Sequence, residues 1–99
     1  MQIEFEDHDL RRLYEELDFR LPQFGTDLIK SYRKTVAFVI AAADQRDLYK
    51  MRSLRLEKLI GDRVGQHSLR LNDKWRMIIK IEMRDVGQVI VILDLVDYH

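Results

Sequence analysis

The sequence contains no cysteine, no long apolar run and no excess of charge of either sign. Without cysteine, the chain can form neither a disulfide framework nor a thiolate zinc site. No apolar stretch reaches the roughly 18 residues that a membrane helix needs, and the first residues lack the pattern of a signal peptide. These absences favour a soluble cytoplasmic protein, and 99 residues predict a single domain, residues 1–99.

Metal chemistry is also not indicated by the sequence. The three histidines, His8, His67 and His99, show no short ligand spacing, and the carboxylates do not follow a calcium-loop pattern. We therefore expect no metal and no cofactor. His67 itself is interpreted first as an ordinary strand residue.

The zero net charge conceals a basic middle. Residues 50–80 hold nine Lys or Arg against three Asp or Glu, whereas residues 1–27 hold three against eight. A concentrated basic patch, rather than the total charge, decides whether phosphate groups are attracted. The alternative is a solvated sheet face with ordinary surface charge.

The N-terminal half predicts one strand followed by two helices. Ile3 and Phe5 alternate with polar residues, as in a half-buried strand. Asp7 or Asp9 can cap a first helix, whose apolar face carries Leu10, Leu13 and Leu17. Thr26 is the predicted N-cap of a second, longer helix. Its apolar stripe consists of Leu28, Tyr32, Val36, Val39 and Ala43.

From Leu54 onward the apolar period changes to two, which predicts four antiparallel strands separated by glycine-containing and polar turns. The chain is therefore predicted to be an α+β protein, in which an N-terminal strand and two helices pack on one face of an antiparallel β-sheet.

The alternation also predicts which side chains share a face. A buried face with Leu69 and Met77 requires a turn of odd length, which the three residues 72–74 provide. The buried set is Leu69, Leu71, Trp75 and Met77, and the set on the opposite, open face is Ser68, Arg70, Arg76 and Ile78. In the last strand, the predicted apolar set is Val89, Val91, Leu93 and Leu95.

The sequence ends on Asp97, Tyr98 and His99, directly after an apolar strand. The terminal residues of a domain often have no structural or functional role. However, an imidazole titrates near neutral pH and a phenol can donate or accept a hydrogen bond, so these side chains can transfer protons beside a basic surface.

Residues 55–76 resemble the signature of HigB toxins, which belong to the RelE superfamily of toxin–antitoxin modules. The matching pattern is L-E-x-L-x-G-D-R-x-G-x-x-S-[IL]-R-[IL]-N-D-x-W-R, and it is accompanied by the final D-Y-H. The resemblance implies a RelE-like fold and a ribosome-dependent, metal-independent mRNA endonuclease that inhibits translation. It also implies, as partners, the ribosome, mRNA and an inhibitory HigA-type antitoxin with a helix-turn-helix DNA-binding domain.

The resemblance suggests site residues as well. Asp97, Tyr98 and His99 match the catalytic terminal residues of some family members, and Arg76 matches the arginine after the tryptophan. Some members carry a catalytic histidine where this chain has Glu57, so a mechanism with two histidines cannot be transferred. The other cations are expected to bind RNA through its phosphates, and these are Arg55, Lys58, Arg63, Arg70 and Lys74.

Two alternatives share this fold. A ParE-like toxin would bind DNA gyrase without RNA chemistry, and an inactive domain would only bind a partner. Arg63 can equally be a residue that caps a turn. Arg70 and Arg76 can equally be solvated strand residues. Trp75 has the parity of Met77 and is interpreted as a core residue rather than a platform for stacking bases.

Overall fold

The computed structural model describes residues 1–97. Tyr98 and His99, two of the predicted catalytic residues, lie outside the described residues. The helices in this part of the chain are α1 (His8–Glu15), α2 (Thr26–Ala41) and α3 (Gln45–Lys50). The strands are β1 (Gln2–Phe5), β2 (Glu57–Lys58), β3 (His67–Arg70), β4 (Trp75–Arg84) and β5 (Gly87–Asp97). Two short 3-10 turns, Arg52–Leu54 and Gly61–Arg63, flank β2.

The strands form one sheet in the order β1-β5-β4-β3-β2. The last four strands of the chain, β2 to β5, run antiparallel to one another in sequence order, which confirms the predicted meander and the α+β class. The structure adds two features to that prediction. β1 joins the sheet edge parallel to β5, and α3 follows α2 as a third helix.

The helix boundaries agree with the sequence pattern in part. Asp7 caps α1, since its carboxylate accepts a hydrogen bond from the Leu10 amide at 3.0 Å. The predicted cap at Thr26 is wrong because Gly25 occupies the N-cap position and makes no side-chain hydrogen bond. α2 also ends at Ala41, so Ala43 lies outside it.

One face of the sheet carries the main core. Residues from the three helices pack there against Leu69, Met77, Ile79, Ile90 and Ile92. Tyr32, fully buried at the centre of α2, donates a hydrogen bond from its hydroxyl to the Leu10 carbonyl at 2.7 Å. Burial raises the pKa of this phenol well above its ordinary value, so Tyr32 remains a neutral donor that joins α2 to α1.

The β3–β4 hairpin has the predicted register. Leu69 lies opposite Met77 and Arg70 lies opposite Arg76. The three-residue turn is closed by the Asn72 side chain, whose Oδ1 accepts from the backbone amides of Lys74 and Trp75 at 2.9 and 2.8 Å. Trp75 packs against the core and meets Phe24 edge to face, which confirms its predicted role.

A register shift in β5 overturns the predicted apolar set of that strand. Ile78 lies opposite Asp94 but Ile79 lies opposite Ile92, so Leu93 is an extra residue on β5. Ile90 and Ile92 therefore face the helices, and Val89 and Val91 lie outside this main core. The shift also moves Asp94 to the face opposite the helices and returns Leu95 to the core. An unbroken alternation would have buried the Asp94 carboxylate.

The second face of the sheet is less open than predicted. Ser68, Arg76 and Ile78 are all buried there, with Arg76 only 6% exposed. Arg76 donates a hydrogen bond to the Arg55 carbonyl, so the segment before β2 lies over this part of the face. The strand predicted to begin at Leu54 is accordingly shorter, because Leu54 belongs to a 3-10 turn and β2 has only two residues.

Candidate functional site

The candidate site lies on the face of the sheet opposite the helices. The register aligns Glu57 with Ser68, Ser68 with Ile78, and Ile78 with Asp94, so one row crosses β2, β3, β4 and β5. The carboxylates of Glu57 and Asp94 lie at the two ends of this row, with the buried Ser68 and Ile78 between them. Arg76 lies two residues before Ile78 on β4, and its side chain therefore points to the same face.

Arg76 is held firmly within this site. Its Nε donates to the Ser68 hydroxyl at 2.7 Å, and its Nη2 donates to the Ser68 carbonyl at 3.3 Å and to the Arg55 carbonyl. The same Nη2 is 4.0 Å from Oε2 of Glu57. A guanidinium always carries its charge in a protein, so these contacts fix a positive charge at a defined point between β2 and β3.

The other predicted cations divide into two groups. Arg63 and Arg70 lie near Arg76: Arg63 pairs with Asp94 at 3.6 Å, and Arg70, directly opposite Arg76 in the register, pairs with Asp73. Lys58 neighbours Glu57 on β2 and so points to the opposite face, and Lys74 is exposed in the β3–β4 turn. The structure therefore gathers three of the predicted arginines and leaves both lysines apart from them.

Asp97 and Arg55 occupy the edges of the site. Asp97 is exposed and lies opposite Trp75 at the end of β5. It therefore shares the parity of Leu95 rather than that of Val96 and Arg76. Arg55 is exposed, and its carbonyl, rather than its guanidinium, makes the contact with Arg76.

Sequence reasoning assigned no role to Ser68 or Asp94. Ser68 is 0% exposed and supplies both a hydroxyl and a carbonyl to Arg76. Its placement beside Arg76 follows from the predicted strand parity, which is the signal that could have found it. The predicted alternation of β5 also placed Asp94 on the face of the arginines, although in the structure it reaches that face through the register shift at Leu93.

His67 lies on the opposite face, with the parity of Leu69. Both of its ring nitrogens are buried and make no hydrogen bond within residues 1–97. Burial, and secondarily the positive charge of Lys58, lowers the pKa of this imidazole. The folded protein therefore favours the neutral form of His67, whose side chain lies on the face opposite that of Arg76, Ser68 and Glu57.

Because the pKa of His67 is lowered by folding, the protein should lose stability when the pH falls. The unfolded chain protonates His67 near its ordinary pKa of about 6.5, whereas the folded chain resists protonation until a lower pH. We expect the free energy of unfolding to decrease as the pH falls from about 7 through the lowered pKa, with a smaller decrease in His67→Gln. Urea unfolding between about pH 7 and 5.5 measures this, with the exposed His8→Gln as control. An equal decrease in the wild type and in His67→Gln would contradict it.

Neither a metal cluster nor a membrane helix is found in the described part of the chain. Within residues 1–97 no three His, Cys, Asp or Glu side chains are close enough together to hold a metal ion. No helix in the same range is both long enough and apolar enough to cross a membrane.

Three solved structures, a bacterial toxin and two bacterial toxin–antitoxin complexes, match this chain. A YoeB/ParE toxin from Agrobacterium tumefaciens matches with a TM-score of 0.59 and 14% identity, covering all of both chains. The YoeB-YefM complex from Staphylococcus aureus matches with a TM-score of 0.52 and 18% identity, covering 100% of this chain and 97% of that one. The toxin-antitoxin complex RelBE2 from Mycobacterium tuberculosis matches with a TM-score of 0.50 and 18% identity, covering 97% of this chain and 95% of that one. The fold is therefore that of the RelE/YoeB toxins.

A family model described as "RelE-like toxin of type II toxin-antitoxin system HigB" matches residues 3–99. The chain therefore belongs to the HigB-like toxin family, and it is a toxin of a type II toxin–antitoxin system. No functionally curated protein matches it.

Proposed function

We propose that this toxin is a ribosome-dependent, metal-independent mRNA endonuclease that inhibits translation in the cytoplasm. The observation that supports it best is the fixed guanidinium of Arg76, which lies 4.0 Å from the Glu57 carboxylate and opposite Arg70 in the register, with Arg63 paired to Asp94 on the same face. Phosphodiester cleavage requires a fixed positive charge together with a group that can accept a proton. Both kinds of group are present on this face of the sheet.

RNA supplies its own nucleophile, the ribose 2′-OH. In the proposed reaction the 2′-oxygen attacks the adjacent phosphorus, its proton passes to a base, and the bond from phosphorus to the 5′-oxygen breaks. The products are a 2′,3′-cyclic phosphate and a 5′-hydroxyl, which receives a proton from an acid. Arg76 stabilises the negative charge that accumulates on the phosphate oxygens.

Proton transfer is assigned to the C-terminal residues of the sequence. We propose His99 as the main acid or base, Tyr98 as the group that orients it or substitutes for it, and Asp97 as a partner that holds the imidazole tautomer. Glu57 is the second candidate for the base. It is half exposed, it faces the site, and it occupies the position at which some family members carry a histidine.

Backbone binding is assigned to the remaining cations. Arg63 and Arg70 lie within the site, Arg55 is exposed at its edge, and Lys58 and Lys74 are exposed outside it. Since phosphate contacts carry no sequence information, these side chains hold RNA of any sequence. The choice of where to cut is left to the ribosome, which presents the mRNA.

The antitoxin is proposed to be of the HigA type, with a helix-turn-helix DNA-binding domain. It inhibits by covering the arginines of the candidate site or the groove beside them, because a partner that merely tethered the toxin would leave its chemistry intact. Retention of full RNA cleavage by the toxin–antitoxin complex on ribosomes would exclude this mode of inhibition.

Gyrase binding is the second candidate function. One observation favours it: Arg63 and Arg70 each pair with a carboxylate and Arg76 is buried, so little uncompensated positive charge faces outward from these three residues. A surface of this kind can bind a protein rather than RNA. An inactive domain that only binds a partner would neither inhibit translation nor cause DNA breaks.

The two functions are separated by mapping RNA 5′ ends across the transcriptome shortly after induction of the toxin. We expect new 5′ ends within coding regions, with a three-nucleotide phase that follows the reading frame. Intact mRNA accompanied by DNA breaks would instead indicate gyrase poisoning. Induction of Arg46→Ala, which removes an exposed arginine outside the site, should give the wild-type map.

A further inference from the structure

Arg55 has the backbone conformation that side chains other than glycine rarely adopt. Its φ and ψ are 44° and 57°, and it is the one non-glycine residue with a positive φ among residues 1–97. The left-handed region is unfavourable for residues with a Cβ atom, and such residues persist where surrounding contacts hold them. A glycine would occupy the same position without strain. Contacts from the surrounding structure must therefore compensate for the strain at Arg55.

The contacts that hold this conformation come from the candidate site. The Arg55 carbonyl accepts a hydrogen bond from Nη2 of Arg76, and Nε of Arg76 donates to the Ser68 hydroxyl at 2.7 Å. We call this chain of contacts the Ser68–Arg76–Arg55 bridge. It is almost entirely buried at Ser68 and Arg76, whereas the Arg55 side chain is exposed at its outer end. The bridge thus connects a buried serine on β3 to an exposed cation before β2.

We propose that Ser68 is a positioning residue, which acts through Arg76 to hold the Arg55 guanidinium where it binds the phosphate backbone of single-stranded RNA. This inference rests on the proposed RNA-binding function. Ser68 fixes the plane of the Arg76 guanidinium through Nε, and the fixed guanidinium in turn selects the left-handed backbone at Arg55. Ser68 does not touch the RNA.

The test is a double-mutant cycle with Ser68→Ala and Arg55→Gly. Arg55→Gly removes the cation and relieves the backbone strain, so it deletes the function of the bridge without disturbing the fold. The probe is a fluorescent, 2′-O-methylated single-stranded RNA, which cannot be cleaved, and its binding is followed by anisotropy between about 50 and 200 mM salt. Ser53→Ala, at an exposed serine in the preceding turn, is the matched control.

The expected result is a specific pattern of slopes. Loss of one phosphate contact lowers the slope of log affinity against log salt by about 0.7 for a single strand. We expect Arg55→Gly to show this decrease, Ser68→Ala to approach it, and the double variant to equal Arg55→Gly alone. Ser53→Ala should keep the wild-type slope. A decrease caused by Ser68→Ala that is as large in the Arg55→Gly background as in the wild type would overturn the proposal.

A second readout does not depend on RNA. Because glycine adopts the left-handed conformation freely, Ser68→Ala should reduce the free energy of unfolding less in the Arg55→Gly background than in the wild type. Equal reductions in the two backgrounds would overturn the bridge. If Ser68→Ala does not fold, Arg76→Lys replaces it in the cycle, since lysine retains the charge but lacks the separate Nε donor that contacts the Ser68 hydroxyl.

The outcomes also separate this inference from the proposed nuclease. Cleavage on ribosomes with no salt-dependent binding of the RNA probe would overturn the role of Ser68 and leave the nuclease in place. The opposite outcome is salt-dependent binding of the RNA probe with the expected double-mutant cycle but no cleavage of mRNA on ribosomes. It would overturn the proposed nuclease activity and leave the role of the bridge in place.

Discussion

Deletion of His99 is expected to abolish toxicity while leaving the fold intact. Removal of a general acid or base typically lowers a reaction rate by about 10²–10⁴-fold. The described core ends before this residue, since Leu95 is the last residue of the hydrophobic cluster on β5. The melting temperature should therefore change little. Growth after induction and cleavage of ribosome-bound mRNA measure activity, and thermal unfolding measures the fold.

Tyr98→Phe provides the companion measurement for this deletion. It keeps the aromatic ring and removes only the phenol, so it separates orientation of His99 from packing. Unchanged growth arrest and unchanged mRNA cutting by the His99 deletion would remove this histidine from the mechanism. The Glu57 carboxylate, 4.0 Å from Arg76, would then be the base to test with Glu57→Gln.

Leu69→Asp is expected to abolish folding. Leu69 is 0% exposed and lies opposite Met77 in the centre of the core. An unpaired buried carboxylate costs several kcal/mol, which is comparable to the total stability of about 5–15 kcal/mol of a small domain. Circular dichroism and expression in the soluble fraction measure this.

The matched control for this substitution is Leu17→Asp, because Leu17 is 75% exposed. It should fold, bind the antitoxin and melt within a few degrees of the wild type, as surface substitutions usually do. A soluble Leu69→Asp protein that melts cooperatively would show that the assignment of the sheet faces is inverted.

The β3–β4 hairpin shows which features can be predicted from sequence. Leu69 and Met77 alternate strictly with Arg70 and Arg76, and the asparagine that closes the turn is a typical turn residue. Local pattern and tertiary structure agree there, so the register, the turn length and the face of each arginine are all predictable. The N-cap of α1 at Asp7 is predictable for the same reason.

β5 shows where the pattern is insufficient. Consecutive residues from Val89 to Leu93 are apolar, so alternation alone does not distinguish the two faces. The register between β5 and β4, which skips Leu93, decides which face each side chain takes, and this register is a tertiary contact. Asp94 lies on the face of the arginines both in the predicted alternation and in the structure, but its contact with Arg63 depends on this register.

The candidate site was likewise predictable only in part. The motif identified Arg76 and strand parity placed it beside Ser68, but its burial depends on the Arg55 carbonyl, 21 positions away in the sequence. Arg76→Ala is consequently a less specific test of catalysis than the sequence suggests. It removes a charge and also leaves buried hydrogen-bonding groups of Ser68 without their partner.

The most direct test of the account uses purified toxin, ribosomes and a defined mRNA. We expect the folded protein to cut the mRNA only when the mRNA is bound to the ribosome, and to leave a 2′,3′-cyclic phosphate at the cut. A single 2′-deoxynucleotide 5′ to the scissile phosphate should abolish that cut, because the nucleophile is missing. Cleavage that persists at the deoxy position, or intact ribosome-bound mRNA in the presence of folded toxin, would contradict it.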